Sequence, residues 1–384
     1  MLQSNSHIHT PYSFCCFDSV EQPAKLAREQ GVDVLGINDF NTVEGFAEFD
    51  AACRQHRVYP LFNIEFIALS REDKDAKKRW NDKNPGIIYF CGKGLDCPSS
   101  FSKDARNILG SIWKATQDQI WQVINAVNDH LESVKIPLSL DYNRIRTAYA
   151  RYTVRERHVT KAIYHEMQSR YAAGGELSAA YRTLFKDAAF SGNVNDAVMM
   201  QNEIRNRLLK AGKPCFVDEK PDAFLPLPEV VRLILDGGGI PCYPILIDDS
   251  GPLNEYENDP AALADRLKAM NIHAVEFIPL RNGFDLLKRY AVFLHNRNLC
   301  VTFGTEHNTP EMLPMAPATR GGVPLDEELR AINYRGACII AAHQEQRKMN
   351  RSGFVGRKGE RLAAPKNMDE FVRLGDAAIR ARVV

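Results

Sequence analysis

The sequence lacks the features that mark several specialised classes of protein. No apolar run approaches the ~20 residues that a membrane-spanning helix needs, and the amino-terminal MLQSNSHIH has none of the features of a signal peptide. Lys and Arg (49) balance Asp and Glu (48), for a net charge of +1. Charge therefore gives no reason to expect a membrane partner, and nucleic acid is disfavoured as a partner.

The nine cysteines are scattered, no Cys-x-x-Cys pair occurs, and an odd number argues against a closed disulfide framework. What the chain does have is 384 residues, 45% of them hydrophobic and 25% charged, which is typical of a folded protein. We therefore predict a folded, cytoplasmic protein with reduced thiols. The length allows two domains, or one large α/β domain with an insertion.

Apolar strand-like segments alternate with amphipathic helix-like segments in two parts of the chain. This alternation predicts a parallel sheet covered by helices, with a closed or nearly closed barrel ahead of an open doubly wound sheet. The strand-like segments are VDVLGIND, VYPLFNIEFIAL, GIIYFCG, IPCYPILI, AVEFIPL and LCVTFGTE.

The alternation stops between the two parts, where helical patterns cover about residues 101–132, 154–172 and 194–210. We predict a barrel built from residues 1–97 and 227–310, interrupted by a helical insertion at 98–226. Residues 311–384 are predicted to form a helical extension that packs on the barrel, with helices at about 325–346 and 368–380.

Candidate metal ligands occur at the start of the chain and at the predicted strand ends. His7 and His9 are two positions apart, so a strand would project both imidazoles from one face. Active sites of α/β barrels gather at the carboxyl ends of the strands. Acids and a histidine occur there at Asp39, Glu65, Glu276, Glu306 and His307. Imidazoles with carboxylates suit zinc, manganese or iron.

Five segments in the same order resemble the motifs of the PHP (polymerase and histidinol phosphatase) superfamily. They are HIHTPYSF, GINDFNTVEGF, NIEF, GGIPCYP and FGTEHN. The family motifs read roughly H-x-H-T-x-x-S-D-G, G-[IL]-T-D-H-[DN]-T, G-I-E, G-G-x-x-x-H-P and G-S-D-x-H. The resemblance implies a distorted (β/α)7 TIM-like barrel and metal-dependent hydrolysis of phosphate esters with up to three metal ions.

The sequence departs from these motifs at several ligand positions. The lost aspartate of S-D-G and the lost histidines correspond to Phe14, Phe40, Tyr89, Tyr243 and Asn308. Phenylalanine cannot ligate a metal, and tyrosine or asparagine rarely replaces a histidine ligand. Two of the family's three metal positions are therefore expected to be dismantled.

The resemblance leaves one expected position for a divalent ion. Its ligands would be His7, His9, Glu65 and Glu306, with His307 as a rival to Glu306. Asp39 would lie close by. It would either accept a hydrogen bond from a ligand imidazole or act as a base toward metal-bound water.

A basic segment, ARYTVRERHVTKA, resembles the arginine-histidine element of phosphoesterase-type members, although its proline is absent. Arg155, Arg157 and His158 are accordingly candidate phosphate-binding residues at the start of a helix. A solvated basic helix face explains the segment equally well. Arg281, at another strand end, is a weaker candidate.

Three functions remain open. The first is a phosphoesterase that acts on a small phosphate ester or nucleotide through a metal-activated water. The second is a metal-binding protein with little or no catalytic activity. The third is a metal-dependent hydrolase of a non-phosphate substrate. The substrate, the metal and the oligomeric state are not predicted.

Overall fold

Seven strands form one sheet that curls into a nearly closed barrel. The computed structural model describes residues 2–220, 223–249, 253–362 and 367–384. The strands are β1 (Ser4–Ile8), β2 (Val34–Phe40), β3 (Tyr59–Leu69), β4 (Ile87–Lys93), β5 (Ile240–Ile245), β6 (Ala274–Phe277) and β7 (Cys300–Phe303). They lie side by side in chain order. Ile8 bridges to Glu306 just beyond β7, and the His9 N–H donates to the Glu306 carbonyl at 2.7 Å, so the last strand meets the first.

Helices surround this sheet, which makes the molecule an α/β protein with a TIM-like barrel, as the sequence predicts. They are α1 (Glu21–Glu29), α2 (Phe46–Gln55), α3 (Arg71–Asp75), α4 (Lys103–Ser133), α5 (Tyr142–Tyr149), α6 (Glu156–Arg170), α7 (Gly175–Phe185), α8 (Ala197–Ile204), α9 (Leu227–Asp236), α10 (Pro260–Ala269), α11 (Phe284–Asn296), α12 (Glu327–Lys348) and α13 (Met368–Val383). A π-helical turn (Arg205–Leu209) continues α8. Within the described ranges, no helix combines the length and apolar character needed to cross a membrane.

Strand β4 runs antiparallel to both of its neighbours, so the prediction of a parallel sheet is wrong at this strand. The other adjacent pairs are parallel. A parallel connection needs a crossover segment, usually a helix, that returns the chain along the sheet. The helix between β3 and β4 is α3, which has five residues and spans only about 7.5 Å. The chain therefore turns back beside β3 and places Cys91 opposite Glu65.

Among the described residues, the segment between β4 and α9 forms five α-helices, of which the sequence predicted three. The patterns near residues 101–132, 154–172 and 194–210 correspond to α4, α6, and α8 with its π-helical turn. Helices α5 and α7 were not predicted. Ala105, in the first turn of α4, packs with the barrel core, whereas Ile120, Val127 and Ile163 belong to a separate apolar cluster. The exact domain boundaries stay a prediction.

Helices α12 and α13 cover one end of the barrel. The apolar run ACIIA of α12 (337–341) is buried. It shares a cluster with Tyr59, Ile240, Ala274 and Cys300, each of which is the first residue of its strand. The two helices therefore cover the amino ends of the parallel strands. Access from solvent is left to the carboxyl ends, where the candidate site lies.

Candidate metal centre

Three donor atoms converge near the carboxyl ends of β1 and β2. His7 is in β1, His9 follows that strand directly, and Glu65 of β3 pairs with Phe40 at the end of β2. The Nε2 atoms of His7 and His9 are 3.3 Å apart, and Glu65 Oε2 lies 3.6 Å from the first and 3.2 Å from the second. Two ligands of a tetrahedral zinc, each ~2.1 Å from the ion, are ~3.4 Å apart. The three atoms thus have the spacing of ligands to one ion.

The Glu65 carboxylate contains an unsatisfied atom. Its Oε2 is buried and makes no hydrogen bond to any described residue, although two imidazole nitrogens lie within 3.6 Å. His7, His9 and Glu65 are all at most 3% exposed, so solvent does not compensate this oxygen. A buried carboxylate oxygen without a partner is costly. A cation among the three atoms would remove that cost, so the residues present fit a divalent ion.

The electrostatics of the group favour a positive charge at this place. Burial alone would lower the pKa of His7, but Glu276 and then Glu65 outweigh it and raise that pKa to about 9. Burial alone would raise the pKa of Glu65, but the adjacent His7 and His9 imidazoles reverse this and lower it to about 2. Glu65 is therefore ionised at neutral pH, and a proton on His7 supplies the positive charge when no ion does.

A fully buried ion pair holds His7 from the other side. Glu276 Oε2 is 2.7 Å from His7 Nδ1, and Glu276 Oε1 accepts a hydrogen bond from Lys93 Nζ at 2.5 Å. Metal-binding histidines commonly donate their second N–H to a carboxylate in this way. Asn38 Nδ2 lies 3.0 Å from both His7 ring nitrogens and 3.3 Å from Cys91 Sγ. His7, Cys91 and Glu276 form a second group of atoms close enough to bind a metal.

Asp39 lies behind His9, away from the three donor atoms. Its Oδ1 is 3.9 Å from His9 Nδ1. Its oxygens accept hydrogen bonds from the Thr10 N–H (2.8 Å), the Thr10 hydroxyl (2.5 Å) and the Ser13 hydroxyl (2.5 Å). Burial raises the pKa of Asp39, although the His9 charge and these hydrogen bonds oppose the increase. Ser13 thus lies between Asp39 and His9, although the sequence predicted that Asp39 itself could accept a hydrogen bond from a ligand imidazole.

The structure does not bring Glu306 or His307 to the three donor atoms. Glu306 Oε2 accepts from Arg281 at 2.5 Å and from Asn308 at 3.1 Å. His307 donates from Nε2 to the Leu313 carbonyl at 3.0 Å, and its ring stacks on Phe17. Both residues have left-handed backbone conformations (φ +62° and +55°), so the chain turns sharply after β7. The sequence-based placement of Glu306 and His307 assumed that successive side chains alternate between the two faces of a strand. That alternation does not continue through such a turn.

An aromatic ring covers His9 where the family motif has another histidine. The Phe40 ring stacks on His9 with centroids 4.8 Å apart and planes inclined by 20°. The guanidinium carbon of Arg155 lies 4.7 Å from the Phe40 centroid, and Tyr89 contacts Phe40 edge-on. Phe40 thus connects the buried donors with a cation supplied by the helical segment.

A cavity of about 420 Å³ opens in front of Glu65, between the barrel and the helices that follow β4. It is lined by seven cationic and five acidic side chains: Arg79, Lys83, Arg155, Arg157, Arg205, Lys210 and Arg281, and Glu65, Asp82, Glu156, Asp249 and Glu306. Three of the cations pair with carboxylates: Arg79 with Glu255, Arg205 with Glu156, and Arg281 with Glu306. The other four make no salt bridge within the described ranges, so the cavity favours an anion.

Two of the three predicted phosphate-binding residues line this cavity. Arg155 precedes α6 and Arg157 lies in its first turn, where Arg157 donates to Asn202 at 2.5 Å. Burial, together with the nearby Arg205 charge, lowers the pKa of Arg157 to about 10. His158 is buried instead, and its Nδ1 accepts from the Arg155 N–H at 2.9 Å. Burial lowers the pKa of His158 to about 3, so it carries no charge for an anion.

Two solved structures share this fold. A protein from Bifidobacterium adolescentis, named as a candidate metal-dependent phosphoesterase, has a TM-score of 0.56 and 15% identity over 85% of this chain and 94% of that one. An amidohydrolase from Chromobacterium violaceum, solved with sulfate and no metal, has a TM-score of 0.51 and 14% identity over 86% and 96%. No protein-family model and no curated protein matches the sequence. Fold and site together define an α/β TIM-like barrel with a buried group of side chains that could bind a metal ion.

Proposed function

We propose that this chain is a metal-dependent hydrolase of phosphate esters. In this proposal it is a phosphoesterase-like member of the PHP superfamily, with a distorted (β/α)7 barrel and one divalent ion. One observation carries the proposal. Three buried atoms, His7 Nε2, His9 Nε2 and Glu65 Oε2, lie at the spacing of ligands to one ion, and Glu65 Oε2 makes no hydrogen bond to a described residue. The names of the two structural neighbours support a hydrolase.

A single ion is proposed because other positions of the family motifs are filled or engaged. Phe40 has no donor atom and packs on His9. The Tyr243 hydroxyl donates to the buried Glu257 at 3.0 Å, and Asn308 donates to Glu306. Both groups of possible ligand atoms in the described ranges include His7, which favours one centre over three.

A bound divalent ion supplies Lewis acidity to a phosphoryl oxygen and lowers the pKa of the water that it binds. The chain's own residues then have separate tasks. His7 and His9 present their Nε2 atoms, and Glu65 contributes negative charge because its pKa is far below neutral. Phe40 and Tyr89 restrict water on one side of the cavity.

The substrate is proposed to be a small phosphorylated molecule. Lys83, Arg155, Arg157 and Lys210 face the cavity without carboxylate partners among the described residues. Arginine binds phosphate through two parallel hydrogen bonds, so Arg155 and Arg157 are the proposed phosphate-binding side chains. A cytoplasmic location stays a prediction from the sequence.

Turnover of p-nitrophenyl phosphate and bis(p-nitrophenyl) phosphate, after loading with zinc, manganese or iron, tests the proposal. We expect the wild type to exceed the His7→Ala/His9→Ala variant by at least about tenfold, since loss of the ion removes the main electrophile. His56→Ala/His165→Ala is the matched control, because both of its histidines lie outside the site. Equal residual rates in the two double variants would contradict a metal-dependent phosphoesterase.

The same assay separates the two other functions. The stacking of Phe40 on His9 specifically supports the alternative of a metal-binding protein without catalytic activity, because the ring limits access to one imidazole. Metal binding without turnover of any ester would favour that alternative. Metal-dependent turnover of an amide or lactone panel, with none of the phosphate esters, would favour a hydrolase of a non-phosphate substrate.

A further inference from the structure

Ser13 connects the Asp39 carboxylate with the His9 imidazole. Its Oγ lies 2.5 Å from Asp39 Oδ1 and 3.2 Å from His9 Nδ1. Asp39 and His9 do not bond directly, since Oδ1 and Nδ1 are 3.9 Å apart. Ser13, Asp39 and His9 are each at most 1% exposed, so solvent does not replace these contacts.

With Asp39 ionised, the count of protons fixes the direction of both hydrogen bonds. A serine hydroxyl has one proton to donate, whereas an ionised carboxylate only accepts. The Ser13 proton therefore points to Asp39, and a lone pair of Ser13 Oγ faces His9 Nδ1. His9 must then donate its Nδ1–H to Ser13. Its Nε2 keeps a lone pair, which faces His7 Nε2 and Glu65 Oε2.

We propose that Ser13 is a positioning residue of the metal centre, which relays the Asp39 acceptor to His9. It fixes the tautomer and the ring orientation in which His9 Nε2 can bind a divalent ion. The role that sequence analysis gave to Asp39 is thereby exerted through a neighbouring hydroxyl. This inference rests on the proposed function, because it assumes that His9 binds an ion.

Thr10 provides a matched comparison within the same hydrogen-bond network. Its hydroxyl also donates to Asp39 at 2.5 Å, and Thr10 is as fully buried as Ser13. The Thr10 hydroxyl oxygen accepts its second hydrogen bond from the Tyr12 N–H and not from His9. Ser13→Ala and Thr10→Val therefore each delete one hydroxyl donor to Asp39, but only the first deletes the acceptor for His9.

The dissociation constants of zinc and manganese, measured by competition with a chromogenic chelator, test the proposal in the full chain. We expect Ser13→Ala to weaken binding about 10- to 100-fold, the usual effect of losing the partner of a ligand imidazole. Thr10→Val should lose much less affinity, although both variants lose thermal stability. Equal affinity losses in the two variants, or no loss in Ser13→Ala, would overturn the proposal. Failure of the wild type to bind either metal would instead overturn the proposed function.

A second measurement applies even if Ser13→Ala does not fold. In zinc-loaded wild type with ¹⁵N-labelled histidine, NMR reports which ring nitrogen of His9 binds zinc and which carries a proton. We expect zinc on Nε2 and a proton on Nδ1. Coordination through Nδ1, or an Nδ1 without a proton, would show that Ser13 does not set the tautomer.

Discussion

Replacing Glu65 with glutamine removes the one carboxylate among the three donor atoms and keeps the side-chain shape. A neutral amide loses the attraction to a divalent ion, and its NH₂ group cannot act as a ligand. The His7 and His9 rings keep their own supports in Glu276 and Ser13. We therefore expect Glu65→Gln to abolish most metal binding while the barrel still folds.

The magnitude follows from binding linkage. An ion present at 100 times its dissociation constant stabilises the folded chain by about 2.7 kcal/mol. Unfolding entropy of roughly 2.1 cal/mol/K per residue over 384 residues amounts to about 0.8 kcal/mol/K. Dividing the first figure by the second gives an expected increase in the unfolding midpoint of about 3 °C for wild type. For Glu65→Gln we expect less than about 1 °C.

Calorimetry of chelator-treated protein, scanned with and without metal, measures this increase. Glu306→Gln is the matched control, because Glu306 lines the same cavity but pairs with Arg281. We expect that variant to keep the wild-type increase. An undiminished increase in Glu65→Gln would refute the assignment of Glu65. Loss of the increase in both variants would mean that Glu306 is the fourth ligand predicted from the sequence.

Three further predictions concern titration and buried charge. Because the pKa of His7 is raised to about 9, an ion must displace its proton. Metal affinity should therefore increase about tenfold per pH unit from pH 6 to 9, and competition titrations at several pH values measure it. Lys93→Met leaves Glu276 buried without its cation and should cost about 3–5 kcal/mol in urea unfolding. Lys93→Met/Glu276→Gln should cost less, and an equal cost would contradict the pairing. Because the pKa of His158 is lowered to about 3, below its unfolded value of roughly 6.5, its contribution to stability is lost as pH decreases from 6.5 toward 3. His158→Gln should show a shallower loss of unfolding free energy over that range, and identical slopes would contradict a buried neutral imidazole.

Local patterns in the sequence predicted most elements of the fold but not the polarity of the sheet. Apolar runs such as VDVLGI indicate strands that are buried on both faces, and amphipathic repeats such as LPEVVRLIL indicate helices through a periodicity of 3.6 residues. The direction of β4 depends on how the chain returns from β3, which no local pattern encodes. Helix α5, YNRIRTAY, was missed because it is short and mostly polar, and it buries a single residue, Ile145.

The candidate site was predicted where strand geometry holds and missed elsewhere. His7, His9 and Glu65 lie in or beside regular strands, and the structure brings them together. Glu306 and His307 both have left-handed backbone conformations, for which strand alternation gives no direction. Lys93 closes the apolar run IIYFCGK and looks like a solvated strand end. Its burial beside Glu276 arises only when two distant strands are in one barrel.

The candidate site divides its two chemical tasks between separate parts of the chain. The proposed ion donors lie in strands of the barrel or directly after one, whereas the cavity-lining Arg155, Arg157 and Lys210 belong to the segment between β4 and β5. If the proposed function holds, replacing that segment would change which anions bind while the proposed metal ligands stay intact. Evolution could reshape selectivity in such a protein by grafting new helices onto an unaltered scaffold.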